Sequence, residues 1–363
     1  MRPTHVLAAL VGLTAPASLA AQLSEAENIL LGLNNQAIDT LESSETLEAR
    51  ADGKCSVFSA SPSKLKALDP TLAPGAVSRY DDFVAVHINQ TLSIHGTGNF
   101  LTWHRYFVWA YETALRDECG YKGYQPYWNW FSHTDDPTKS PVWDGSDTSL
   151  GGTGAFVDHT GHTAALGAVH VPPGGGGGCL TNGPFADVQI NLGPVRPNMD
   201  TLVASPTGPL GPNPRCIRRD LSSWVFTRWS TAANLLNVTL GTASHTIGSM
   251  QDEFQGRFGD GFVGLHTAGH LGVGAEAGDV FSSPNDPSFF LHHAMVDRIY
   301  WIWQVLHPFS AGEIAGTITI NNSPPSRDAV KTDLLNLGIN APSRPISQLL
   351  STLGGSPLCY VYL

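Results

Sequence analysis

The sequence predicts a mainly helical chain, with helices separated by long irregular loops and few short strands. Two observations carry this. The stretches 101–118 and 289–306 are long, aromatic and free of Gly and Pro. Between them, Gly151-Gly152, Pro172-Pro173 and the run Gly174 to Gly178 resist regular structure, because Gly costs backbone entropy and Pro removes a donor. In chain order, residues 22–50 read as a first helix, with Leu23, Ile29, Leu30, Leu33, Ile38 and Leu41 at roughly helical spacing. Residues 77–87 read as a second helix and 101–118 as the clearest one. Tyr127-Trp128-Asn129-Trp130 is too aromatic for an ordinary exposed loop. Residues 135–214 form an irregular excursion between two helical halves. Regularity returns around 221–236 and again at 289–306. The remainder, with Pro324-Pro325, Pro342 and Pro345, is expected to wind over the surface. No repeat or linker tract divides residues 21–363, which read as one domain.

Composition narrows the class. The formal charge is -11 over 363 residues, which argues against nucleic acid or an anionic membrane as partner, since both reward clustered Lys and Arg. Residues 1–20 read as a signal peptide: Arg2 and His5, an apolar run from Val6 to Ala15, then Ser18-Leu19-Ala20 as a cleavage site. The run is too short to span a bilayer, and no later stretch is long enough either, so a secreted, extracellular protein is expected. There disulfides are allowed. Five cysteines permit at most two intrachain bonds; the expected ones are Cys55–Cys119 and either Cys179–Cys216 or Cys179–Cys359. Asn89, Asn237 and Asn321 head glycan sequons.

The histidines are clustered. His87, His95 and His104 fall close together, His266 and His270 are four apart, and His292 and His293 follow. Four residues is just over one helical turn, so His266 and His270 can face one ion. Alone, such a pair arises by chance, and His104 or His293 alone reads as a core histidine. Thr267 stands where a zincin carries its Glu, so that chemistry lacks its base. Neighbouring helical residues point about 100° apart, so one of His292 and His293 is expected to ligate and the other not. Together the residues form two sets of three, His87/His95/His104 and His266/His270/His293, with no thiolate or carboxylate. Such sets suit Cu, Zn, Fe or Ni and leave positions open for a small molecule. Two ions about 3.5–4 Å apart would bridge it.

Two motifs now resemble the tyrosinase family of tyrosinases, catechol oxidases and hemocyanins. The first is His95-Gly-Thr-Gly-Asn-Phe-Leu-Thr-Trp-His104-Arg-Tyr-Phe; the second is Asp286-Pro-Ser-Phe-Phe-Leu-His-His293-Ala-Met-Val-Asp297-Arg. Pro126-Tyr-Trp-Asn-Trp130 and Tyr360-Val-Tyr362 match further family features, so the resemblance runs from about Ser78 onward. It implies a four-helix bundle core holding two copper ions, the first on His87, His95 and His104, the second on His266, His270 and His293, with His292 unliganded. It further implies oxidation of catechols to o-quinones by dioxygen, so phenolic small molecules and O2 are the expected partners. Trp103, Phe107, Phe289 and Phe290 would pack the helices and keep water out, with Phe289 beside the ligands. Asp297 would orient an imidazole or pair with Arg298 or Arg105.

Departures from the family refine this expectation. Thr267 occupies the place where several tyrosinases carry Asn to help deprotonate monophenols, and is expected to face substrate. No Glu occurs among residues 254–265, and Gln255 and Asp260 are poor substitutes. Diphenol oxidation is therefore expected over monophenol hydroxylation. Ser93 stands where some relatives carry a Cys that crosslinks to histidine, so no thioether is expected. Val280 resembles a gate residue over the second copper. The chain stops at the tyrosine motif, so no C-terminal domain is expected to cover the site. Rival readings are a hemocyanin-like O2 carrier, a zinc hydrolase on the same histidines and a metal-free structural homologue.

Overall fold

A computed structural model describes residues 24–42, 72–164, 167–354 and 356–362. The expected signal peptide, the 43–50 end of the first predicted helix and Cys55 lie outside these. Among the described residues, eight helices run in the order α1 (Glu25–Glu42), α2 (Arg79–Ile94), α3 (Phe100–Cys119), α4 (Ser223–Trp229), α5 (Ala232–Thr239), α6 (Ile247–Gln255), α7 (Gly264–Val273) and α8 (Ser288–Leu306). The expectation of a mainly helical chain with few short strands holds.

Local chemistry sets the boundaries. The side chain of Ser78 accepts from the Asp81 amide while Asp81 accepts from the Ser78 amide, a reciprocal cap that starts α2 at Arg79. The helix then runs to Ile94, a full turn and more beyond the expected end at His87. Helix α3 stops at Gly120, whose left-handed backbone sends its N–H back to Leu115 and Arg116. The predicted segment 221–236 is two helices, because Thr231 caps α5 and breaks the run. Helix α6 was not foreseen.

Helices α2, α3, α7 and α8 form the bundle, α3 packing on α8, α2 on α3 and α7 on α8. Their interface is aromatic. Phe83, Trp103, Tyr106 and Phe107 meet Phe289 and Phe290 in one buried cluster. Trp128 and Trp130 are buried as expected, and the Trp128 amide bonds to the Leu291 carbonyl on α8.

The excursion from 135 to 214 carries little regular structure. The six strands of the described residues make three two-stranded antiparallel pairs: 162–164 with 169–171, 189–190 with 215–216, and 334–335 with 344–345. The disulfide Cys179–Cys216 closes the excursion, deciding between the two expected partners of Cys179. Arg219 is fully buried; it donates to both oxygens of Asp286 and to the carbonyls of Leu150, Gly151 and Gly152. One guanidinium thus ties the loop to the start of α8. No helix among the described residues is long and apolar enough to cross a membrane.

Candidate metal centre

The bundle brings the predicted histidines together in two groups. His87 (on α2), His95 (just past its end) and His104 (on α3) place one ring nitrogen each within 4.8 Å of the others. His266 and His270 on α7 do the same with His292 and His293 on α8. The groups abut. The rings of His104 and His293 stack with centroids 4.3 Å apart, and His95 and His266 lie 6.3 Å apart.

Four of the six predicted ligands have their proton assigned by a backbone carbonyl. The Nδ1 atoms of His87, His95, His104 and His270 face the oxygens of Phe281, Thr91, Phe100 and Ala277 at 2.7, 3.1, 2.8 and 3.1 Å. A carbonyl only accepts, so each Nδ1 carries the proton and each Nε2 keeps its lone pair. The Nε2 atoms of His87 and His104 are buried without a hydrogen-bond partner. Nε2 of His270 faces Nε2 of His293 at 3.2 Å, so in the second group two ligand nitrogens lie against each other. A buried unsatisfied acceptor costs about 1–3 kcal/mol. A metal ion in each group would remove that cost, and the all-imidazole donor set fits copper.

Electrostatics agrees. Burial holds all seven imidazoles below the ordinary histidine range, His95 at about 4 and His270 at about 3. They are neutral at pH 7, the form that binds metal. His270 alone keeps some exposure, which marks the side on which the centre opens.

The remaining predicted residues divide. Phe289 lies against rings of both groups, 5.1 Å from His87 and 4.2 Å from His293. Asp297 reaches no imidazole. It pairs with Arg105 and accepts from the hydroxyls of Tyr360 and Tyr362, while Arg298 turns to Asn34. The carboxylate therefore joins α3, α8 and the C-terminal motif, one of the two roles expected, and does not orient a ligand. The Thr267 hydroxyl donates its proton to the Gln255 carbonyl at 2.6 Å. Val280 is 42% exposed. It falls in sequence between Ala277, whose carbonyl holds His270, and Phe281, whose carbonyl holds His87.

His292 is the chief surprise. The expectation that neighbouring helical residues diverge would send it away, yet its ring joins the second group. It fills the space over Gly269, where a Cβ would lie 2.2 Å from its Cε1, and packs beside Trp130. The His292 and His293 rings lie 4.9 Å apart, nearly perpendicular to each other. No periodicity shows this. The carbonyls of Thr91 and Phe100 were legible as residues four before His95 and His104; those of Ala277 and Phe281 were not.

A family model for the common central domain of tyrosinase matches residues 77–306. The chain is 42% identical to the tyrosinase-like protein orsC of Emericella nidulans over 70% of this chain and 71% of that one. It is 38% identical to tyrosinase P of Aspergillus terreus over 80% and 82%. The structure superposes on a variant of a polyphenol oxidase from Thermothelomyces thermophila with a TM-score of 0.82 at 35% identity, covering 94% of this chain and 99% of that one. With two abutting groups of buried imidazoles on a four-helix core, and this breadth of similarity, the chain belongs to the tyrosinase family.

Proposed function

We propose that the protein is a binuclear copper oxidase that uses dioxygen to convert o-diphenols to o-quinones. The observation that carries this reading is the pair of abutting imidazole groups, in which Nε2 of His87, His104 and His266 is buried without a hydrogen-bond partner. His87, His95 and His104 hold the first ion, and His266, His270 and His293 the second. His292 packs against Gly269 and stays unliganded. Two copper ions held there would supply the redox exchange with dioxygen, the overall reaction being two catechols and one O2 to two o-quinones and two waters, with two electrons from each catechol. The protein orients the rings through backbone carbonyls, and Phe289 with Phe107 and Trp103 keeps water out.

Diphenols are favoured over monophenols because no free carboxylate or amide follows His266. Thr267 is there, and its hydroxyl is occupied. Val280 stands at the rim and limits the bulk of the phenol. Residues 1–20 direct secretion, and 21–363 form the working domain.

The test is oxygen uptake by the copper-loaded protein on a catechol and on the matching phenol. Rapid uptake and quinone from the catechol, with little from the phenol, is expected. Reversible O2 binding without quinone would make it a carrier. Zinc by metal analysis with no quinone would make it a hydrolase.

A further inference from the structure

We propose that Gln255 is a positioning residue that straps the two metal groups together across their weakest seam. The inference rests on the binuclear reading above.

His95 and His266 lie at helix ends, although the Thr91 carbonyl orients the His95 ring as carbonyls orient three other ligands. His95 is the one member of the first group outside a helix; it occupies the extended position that ends α2. His266 sits in the first turn of α7, which has no side-chain cap, and neither of its ring nitrogens has a partner. The two rings face each other across the seam between the groups. Helical packing alone does not set that spacing.

Gln255 closes the seam from both sides. Its side-chain Oε1 accepts from the amide of Gly96, the residue after His95, at 2.9 Å. Its backbone carbonyl accepts from the hydroxyl of Thr267, the residue after His266, at 2.6 Å. Gln255 is itself rigidly placed relative to α7. Gly264 has φ +70, and a Cβ there would meet the carbonyls of Glu253 and Phe254 at 2.6 and 2.5 Å, so the end of α6 and the start of α7 touch backbone to backbone. The Gly96 carbonyl is occupied too, by the amide of Asn321. One residue therefore transmits the position of α7 to the end of α2, and with it the separation of the two ions.

The test uses the copper-loaded full chain as wild type, Gln255→Leu and Gln255→Glu, read by copper content, copper release to a chelator and electron paramagnetic resonance. Two close Cu(II) ions that share a bridge cancel each other's signal, so wild type is expected to hold two coppers and be nearly silent. Gln255→Leu should release copper about 10-fold faster, the usual scale for losing a residue that supports a ligand. It should also show several-fold more resonance signal per copper. Gln255→Glu, which keeps the accepting oxygen, should restore both. If Gln255→Leu does not fold, Thr267→Val removes the other tether and is measured in the same way. A folded variant with wild-type release and a silent spectrum overturns the strap. Wild type without paired copper overturns the binuclear reading instead.

Discussion

At the scale of single residues, the centre depends on what is absent as much as on the imidazoles. Gly269 has no side chain, and the ring of His292 occupies the volume a methyl group would take. Gly269→Ala therefore forces that ring, or α7, to move. Overpacking of a buried site costs about 1–3 kcal/mol. The double variant Gly269→Ala, His292→Ala should recover much of this, because the clash has lost its partner. Chemical denaturation of the four proteins of the cycle measures the coupling. Additive effects would show that the two residues do not share the space. Ring orientation is likewise decided by single atoms: the carbonyls of Thr91, Phe100, Ala277 and Phe281 select one tautomer at four ligands, and no side chain does so.

At the scale of elements, the helices that carry His104 and His293 are tied to each other by a buried ion pair. Arg105 follows His104 and Asp297 lies one turn past His293, so the Arg105–Asp297 pair locks the two helices one step from the metal groups. Both groups are buried, and Tyr360 and Tyr362 complete the carboxylate. Breaking a buried pair by removing one partner strands the other charge, at about 3–5 kcal/mol. Asp297→Ala is expected to lose that much stability in urea or guanidinium and to loosen the C-terminal segment to protease. Tyr362→Phe removes one hydrogen bond to a charged group and should cost about 1.5–3 kcal/mol. A larger loss from Tyr362→Phe than from Asp297→Ala would contradict this hierarchy. Asp286 receives both arms of Arg219 and the Ser288 amide, anchoring the irregular loop and the start of α8 together.

At the scale of the molecule, the fold concentrates seven neutral imidazoles in a dry core. Burial lowers the pKa of each below the ordinary 6.5, to about 4 at His95. The unfolded chain then takes up protons from pH 6.5 downward while the folded chain resists until near its own lower pKa. Stability of the metal-free protein is therefore full above pH 6.5 and falls as pH drops from there toward 4. Each fully titrating histidine contributes about 1.4 kcal/mol per pH unit in that window. Bound copper should raise the melting temperature, and the gain should shrink over the same range because protons compete for the ligands. Melting temperatures of apo and copper-loaded protein between pH 7 and 4 measure both effects. An apo protein equally stable at pH 7 and 4.5 would refute the burial argument.

The sequence alone determined the donor chemistry: which imidazoles exist, how they space along helices α3, α7 and α8, and that no thiolate or carboxylate accompanies them. Spacing along a helix is a local property, so the two groups and the main helices were legible. Tertiary structure alone decided where His292 goes, what Thr267 and Asp297 bond to, which carbonyls orient His87 and His270, and that Gln255 links the groups. Each of these depends on atoms from segments far apart in the chain meeting in one place, and no periodicity records which segments meet.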